Sequence, residues 1–255
     1  MTDEEIVARL LYRDGLMLVI DKPAGLAVHQ GPPSGRGGKC LQDYFDALRF
    51  GLPRAPSLAH RLDRDASGCL VLGRHRKALA ELGRLFKSGR IGKSYWAIVE
   101  GGPAEAEGRI DMPLGRKDAT RGWWMKHDPQ GQPAVTTWKA LGRAQERGQE
   151  YAQDLTWLAL EPLTGRTHQL RVHCAEMGWP IVGDGIYGSA PRLGGPPLHL
   201  HAREVLVPLY KNHAPIRVRA PVPPHMHARL RACGWQGEFD AASSLAAQSV
   251  STASP

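Results

Sequence analysis

The segment His60-Arg61-Leu62-Asp63-Arg64-Asp65-Ala66-Ser67-Gly68 constrains this chain more than any other stretch. It follows a strand-like approach, Ser57 to Leu62. It precedes a small-residue turn and a second strand candidate, Cys69 to Leu72. A carboxylate, Asp63, therefore stands between Arg61 and Arg64 on a connection in a strand-rich region. The arginines can meet phosphates, whereas an acid among them does nothing for simple nucleic-acid binding. A lone acid inside a cationic segment points to chemistry done on a nucleic acid. On spacing alone, the same string also fits a surface charge cluster.

The rest of the chain reads as many short strands with interspersed helices, an α+β pattern. Leu10-Tyr12 and Leu16-Ile20, split by Arg13-Asp14-Gly15, predict a hairpin. Leu41, Tyr44, Phe45 and Leu48 follow helical spacing, and Gln30 to Lys39 is rich in Gly and Pro and reads as a loop. His75 to Lys87 carries Leu79, Leu82, Leu85 and Phe86 on one face, with Gly89 as its stop. Strands are expected at Tyr95-Val99, Ala134-Leu141, Leu155-Leu160, Pro197-Pro208 and Ile216-Arg219, and helices at His168-Met177 and His225-Cys233. Residues 101–132 read as short strands and loops, and the Ala- and Ser-rich residues 240–255 as a disordered tail.

At 255 residues and 42% hydrophobic, the chain can bury a full core. Lys plus Arg number 33 against 25 Asp plus Glu, a formal charge of +8, which favours polyanionic partners such as RNA and also fits ordinary basic solubility. The cysteines Cys40, Cys69, Cys174 and Cys233 form no C-x-x-C pair and suit a reducing compartment. With no apolar run of membrane-spanning length and no leader-like start, the expectation is a soluble, cytoplasmic, monomeric protein.

Several segments together resemble the RluA-type family of pseudouridine synthases. The His60-Gly68 string is similar to its signature, with Ala66 where the family more often has threonine. Lys22-Pro23-Ala24-Gly25 resembles an early turn, and Lys93-Ser94-Tyr95-Trp96-Ala97 a tyrosine-bearing strand. Leu163-Thr164-Gly165-Arg166-Thr167-His168-Gln169-Leu170-Arg171-Val172-His173, followed by Gly178-Trp179-Pro180-Ile181-Val182-Gly183-Asp184, resembles a late arginine motif. Leu200-His201-Ala202 resembles a final strand marker. The resemblance spans about Leu10 to Pro221. It implies a mostly antiparallel mixed sheet with flanking helices around a central catalytic cleft. It also implies one catalytic domain over residues 1–239, without the S4-type RNA-binding domain many relatives carry in front.

The function so implied is isomerisation of specific uridines in ribosomal or transfer RNA, without cofactor or metal. An ionised Asp63 suits either attack on the ribose C1′ or removal of a 2′ proton, and the sequence leaves both routes open. The resemblance assigns Arg171 as counter-charge to Asp63 and Tyr95 as the ring over the uracil. Leu170 would lie beneath the base, and Arg61 in the space a flipped uridine leaves. His60 and Arg64 complete the expected substrate contacts. On their own, Arg171 also reads as a solvated helix arginine, and Tyr95 as a half-buried strand tyrosine.

Two other classes compete. A non-catalytic RNA-binding protein has no need of an acid with Tyr95 and Arg171 beside it. A metal-dependent hydrolase would have to use His29, His60, His168, His173, His199, His201, His225 or His227. His168 and His173 lie five apart, not at the helical spacing of a zinc pair, and no Cys or carboxylate motif accompanies the others. Gly92-Lys93-Ser94 mimics a phosphate-binding loop, but Lys87 stands where its leading glycine belongs. Arg121-Gly122-Trp123-Trp124-Met125-Lys126-His127 mixes cations and aromatics, and fits either RNA stacking or a hydrophobic hairpin face.

Overall fold

The structure is a computed structural model that describes residues 1–29, 38–117, 124–147 and 152–238. The glycine-rich loop over residues 30–37, Arg121-Gly122-Trp123 and the tail over residues 240–255 lie outside the described residues.

The chain opens with helix α1 (Asp3–Ala8), which the sequence reading did not include. Its signal was present: Thr2 and Glu5 form a reciprocal capping box ahead of an acidic first turn. Strands β1 (Leu10–Arg13) and β2 (Met17–Lys22) make the expected hairpin, with Asp14 accepting from the Leu16 and Met17 N–H groups in the turn. Leu41–Leu48 forms a 3-10 helix rather than an α-helix, with Leu41, Tyr44, Phe45 and Leu48 all turned inward. Next come β3 (Ser57–Leu58), β4 (Ser67–Gly73) and helix α2 (Arg76–Lys87), which is capped by the His75 side chain on the Ala78 N–H. Strands β5 (Gly92–Glu100), β6 (Glu107–Asp111), β7 (Leu114–Arg116) and β8 (Met125–His127) lead to β9 (Val135–Arg147) and β10 (Ala152–Pro162). Helix α3 (Gln169–Glu176), β11 (Leu200–Val207), β12 (Ile216–Arg219) and helix α4 (His227–Ala232) complete the described elements.

The strands form a ten-stranded mixed sheet in the order β1-β2-β4-β11-β5-β10-β9-β6, with β12 on β11 and β3 on β4. Among the described residues every strand pair is antiparallel except β4 with β11, where His201 faces Ser67 and Ala202 faces Gly68. This parallel pair sits mid-sheet and joins the two larger parts of the core. One part gathers Leu18, Ile20, Leu70, Leu72 and Leu82, and the other Ala97, Leu158, Leu160, Leu170 and Trp179. The β7-β8 ribbon stands apart from the sheet and packs on α3.

The expected strand before the charged segment is shorter than its apolar run suggests. Ala59 still donates to the Val71 carbonyl, but the Val71 N–H is taken by the His60 side chain at Nε2, 3.0 Å away. An imidazole thus replaces the backbone acceptor, the ladder ends, and Arg61 to Ala66 leave the sheet as a loop. Leu62 points back into the core while Arg61 and Arg64 face solvent.

Gly68 sets the distance from that loop to the rest of the sheet. Its φ is +104°, and a Cβ there would run into the Ala202 backbone. Tyr95 on β5 is the other neighbour of Ala202, so Gly68, Ala202 and Tyr95 lie in one row across three strands. At about 4.8 Å per strand, Tyr95 is held roughly 10 Å from the start of β4. The Ser67 hydroxyl adds a buried bond to His201 Nδ1 at 2.9 Å. Gly68→Ala combines backbone strain with overpacking, and its expected cost is about 2–4 kcal/mol in urea unfolding. A loss under about 0.5 kcal/mol, the range of neutral surface changes, would contradict this role.

Candidate active site

Asp63 and Arg171, 108 positions apart, meet where the β3-β4 loop faces the first turn of α3, with Arg171 Nη1 3.4 Å from Asp63 Oδ2. Arg171 is itself buried, 4% exposed, and its other edge is held in bidentate fashion by Asp184. Nε reaches Oδ2 and Nη2 reaches Oδ1, both at 2.8 Å. Asp184 in turn accepts from the Ile186 and Tyr187 N–H groups. Burial would raise the Asp184 pKa, but the Arg171 fork and these two amides hold it below the usual carboxylate range. Burial likewise works against the Arg171 charge, yet Asp184 and Asp63 keep its pKa above the ordinary value. The guanidinium lies 5.3 Å over the Tyr187 ring. The result is a fixed cation presented to Asp63, whose side chain remains 23% exposed.

The motif around Arg171 is secured by a buried polar network. Gln169 donates to Thr136 Oγ1 and the Val135 carbonyl, and accepts from Thr164 Oγ1 and the Arg166 N–H. His173 bonds Thr136 Oγ1 through Nδ1 and the Met112 carbonyl through Nε2. Each polar group has a partner, so the network locks the start of α3 against β9. Leu170 beside it is buried, 6% exposed, in the part of the core that includes Ala66.

Lys22 holds the Asp63 loop from below and was not singled out for any role in the sequence. It is fully buried, and its three N–H donors meet the carbonyls of Pro23, Arg64 and Ala66 at 2.7, 2.8 and 2.7 Å. Burial brings its pKa down to about 8, while the charges of Asp65, Asp63 and Asp21 push back upward. Arg64 lies on the same seam. It donates to the Gly25 carbonyl and is otherwise solvent-facing, so part of its bonding is internal. Arg61 is exposed, and its guanidinium makes no hydrogen bond or ion pair among the described residues. Tyr95 is half-buried, and burial, then the Asp63 charge, raises its phenol pKa, so it stays protonated at neutral pH.

His60, expected among the substrate contacts, is engaged by the scaffold. Its Nε2 serves the Val71 N–H, and its ring stacks on Phe86 at 4.4 Å. Burial, then the Lys93 charge, lowers its pKa to about 3. These contacts fix the ring where the Asp63 loop leaves the sheet. Other histidines of the metal reading are committed to backbone carbonyls: His199 to Pro197, His201 to Ala220, His225 to Leu198 and His227 to Val222. Among the described residues no three His, Cys, Asp or Glu are grouped to hold a metal ion. The four cysteines are free and buried. Among the described residues no helix is long and apolar enough to cross a membrane. Trp124 is buried beneath Lys117 and Arg192, and Met125 to His127 form β8, a hairpin strand as one of the two readings required.

This arrangement presents a partly exposed carboxylate beside a buried cation, with a protonated tyrosine across the sheet and a free arginine on the same loop. Comparison with known proteins gives it a family. Residues 16–176 match the family profile described as RNA pseudouridylate synthase. An uncharacterised RNA pseudouridine synthase of Zymomonas mobilis is 42% identical over 221 residues, covering 86% of this chain and 95% of that protein. Ribosomal large subunit pseudouridine synthase D of Yersinia pestis is 36% identical over 191 residues, 74% of this chain and 55% of that protein. The solved structure of human RNA pseudouridylate synthase domain containing 1 superposes with a TM-score of 0.71 at 26% identity, covering 100% of this chain and 98% of that one. The chain belongs to the RluA-type family of RNA pseudouridine synthases and is an RNA-modifying isomerase.

The buried histidines make stability pH-dependent. Burial lowers the pKa of His60 to about 3 and of His199 and His201 to about 4. The unfolded chain therefore binds more protons as pH falls from about 6.5 toward 4, and acidification in that window favours unfolding. Asp21, raised to about 6 chiefly by burial, opposes this with one proton taken up on the folded side. The expected net loss from pH 7 to pH 5 is about 3–5 kcal/mol in urea titrations. Equal or greater stability at pH 5 would contradict the neutral, buried state of these rings.

Proposed function

We propose that this isomerase converts specific uridines of ribosomal or transfer RNA to pseudouridine, with Asp63 as the reacting carboxylate. The observation that carries the reading is the pairing of a partly exposed Asp63 with a buried Arg171 whose own position Asp184 secures. The reaction breaks the bond from ribose C1′ to uracil N1 and forms one from C1′ to C5. The C5 proton leaves and N1 gains one, so no oxidant, reductant or hydrolytic water is consumed. An ionised Asp63 attacks C1′, or removes the 2′ proton on the way to a glycal. Arg171 supports either route as a fixed cation whose Nη1 lies 3.4 Å from Asp63 Oδ2.

Tyr95 supplies a stacking face for the loosened uracil and a hydroxyl that remains protonated for polar contact. Leu170 gives an apolar floor. Arg61, free and exposed on the Asp63 loop, suits the gap left when the target uridine leaves its stack, a step that costs a few kcal/mol. Arg64 is left with a phosphate contact from its exposed side. The basic balance of the chain favours RNA over a neutral partner.

Pseudouridine mapping of total RNA from cells carrying Asp63→Asn in place of the native protein tests this. Discrete positions in ribosomal or transfer RNA should revert to uridine while protein abundance is unchanged. A map identical to that of the native cells would remove Asp63 from the chemistry.

A further inference from the structure

His168 has a backbone conformation and a pair of contacts that the roles above do not use. It is the residue before α3, at φ +52° and ψ 19°, the left-handed region that a non-glycine side chain enters at a cost of roughly 1 kcal/mol. Such strain persists only where the surroundings enforce it, and it concentrates at functional sites. In this pose the imidazole spans two groups. Nδ1 lies 2.8 Å from the Tyr187 hydroxyl, and Nε2 lies 3.9 Å from Asp63 Oδ1. The Tyr187 oxygen accepts from the Met125 N–H, which fixes the phenol from behind.

These contacts close a ring. Arg171 takes Asp63 Oδ2, Asp184 takes Arg171, the Tyr187 N–H takes Asp184, the Tyr187 hydroxyl meets His168, and His168 faces Asp63 Oδ1. The two oxygens of Asp63 thus have separate guardians. A carboxylate oxygen facing Nε2 favours the ring proton on that nitrogen, and Nδ1 then accepts the Tyr187 hydroxyl proton. Burial keeps the His168 pKa below its ordinary value, against the pull of Asp63, so the ring faces Asp63 as a neutral donor.

We propose that His168 is a positioning residue for the isomerisation: its Nε2–H donates to Asp63 Oδ1, and Tyr187 holds the tautomer that makes this possible. The 3.9 Å separation shortens to a hydrogen bond when RNA fills the site, as catalytic hydrogen bonds commonly tighten on substrate binding. With Arg171 on one oxygen and His168 on the other, the carboxylate cannot rotate away from the ribose. The inference rests on Asp63 being the reacting carboxylate.

Single-turnover rates and RNA affinities of His168→Ala, His168→Gln, Tyr187→Phe and Asp63→Asn decide it, together with imidazole ¹⁵N shifts of His168 in the native protein and in Tyr187→Phe. His168→Ala should slow the chemical step by about 10- to 100-fold, the value of a donor to a charged acceptor, with RNA affinity unchanged. His168→Gln, whose amide N–H reaches the same oxygen, should recover part of that rate. Tyr187→Phe should lose less and should shift the ring proton away from Nε2. A native rate in His168→Ala, a native ring proton on Nδ1, or a loss that glutamine does not relieve and that tracks a lower melting temperature would each overturn the proposal. An inert Asp63→Asn beside a fully active His168→Ala removes His168 alone. An active Asp63→Asn removes the reading on which it rests.

Discussion

The ion triad Asp63-Arg171-Asp184 is the interaction on which the site depends. A buried guanidinium is costly without partners, and a buried pair that loses one member typically costs about 3–5 kcal/mol. Asp184 bears that burden for Arg171 through two 2.8 Å bonds, and backbone amides bear it for Asp184. The structural pair is therefore complete without Asp63. The charge of Arg171 is left to face Asp63 across a longer 3.4 Å contact, and the carboxylate stays 23% exposed.

The sheet brings the members of the site together. Asp63 hangs from the entry to β4, Tyr95 sits two strands away on β5, and α3 follows β10, the strand paired with β5 on its other side. Gly68 permits the close parallel approach of β4 and β11, and Lys22 ties three carbonyls around the Asp63 loop. A neutral side chain could not satisfy three converging carbonyls, whereas an ammonium has three donors to match them. The loop is thus rigid at its base and open at Asp63.

Local patterns were legible in the sequence. The β1-β2 hairpin, the α2 helix with its Gly89 stop, and strands β5 and β12 follow from turn chemistry and periodicity. Family resemblance brought Asp63, Arg171 and Tyr95 together, which spacing alone could not do, since their meeting is a property of the sheet. The bond from the Val71 N–H to the His60 ring is invisible in a charged string, because it depends on how the next strand pairs. Strand β9 runs beyond the expected Leu141 to Arg147, and a Cβ at Gly142 within it would meet the Cys233 backbone. Lys22, Asp184, His168 and Tyr187 had no local signal for their tasks. Each acts through partners distant in sequence or through a backbone pose that composition does not reveal.

In the reading proposed above, Arg171 acts on Asp63 through its planar, bidentate anchoring to Asp184 and not by binding RNA. The most direct measurement is the single-turnover rate and RNA affinity of Arg171→Lys. Lysine keeps the charge but cannot hold Asp184 with a fork while reaching Asp63. RNA affinity should stay within about twofold of native while the chemical step slows by about 100-fold or more, since bonds to charged groups are worth about 1.5–3 kcal/mol each. A native chemical rate, or a loss confined to RNA affinity, would contradict it.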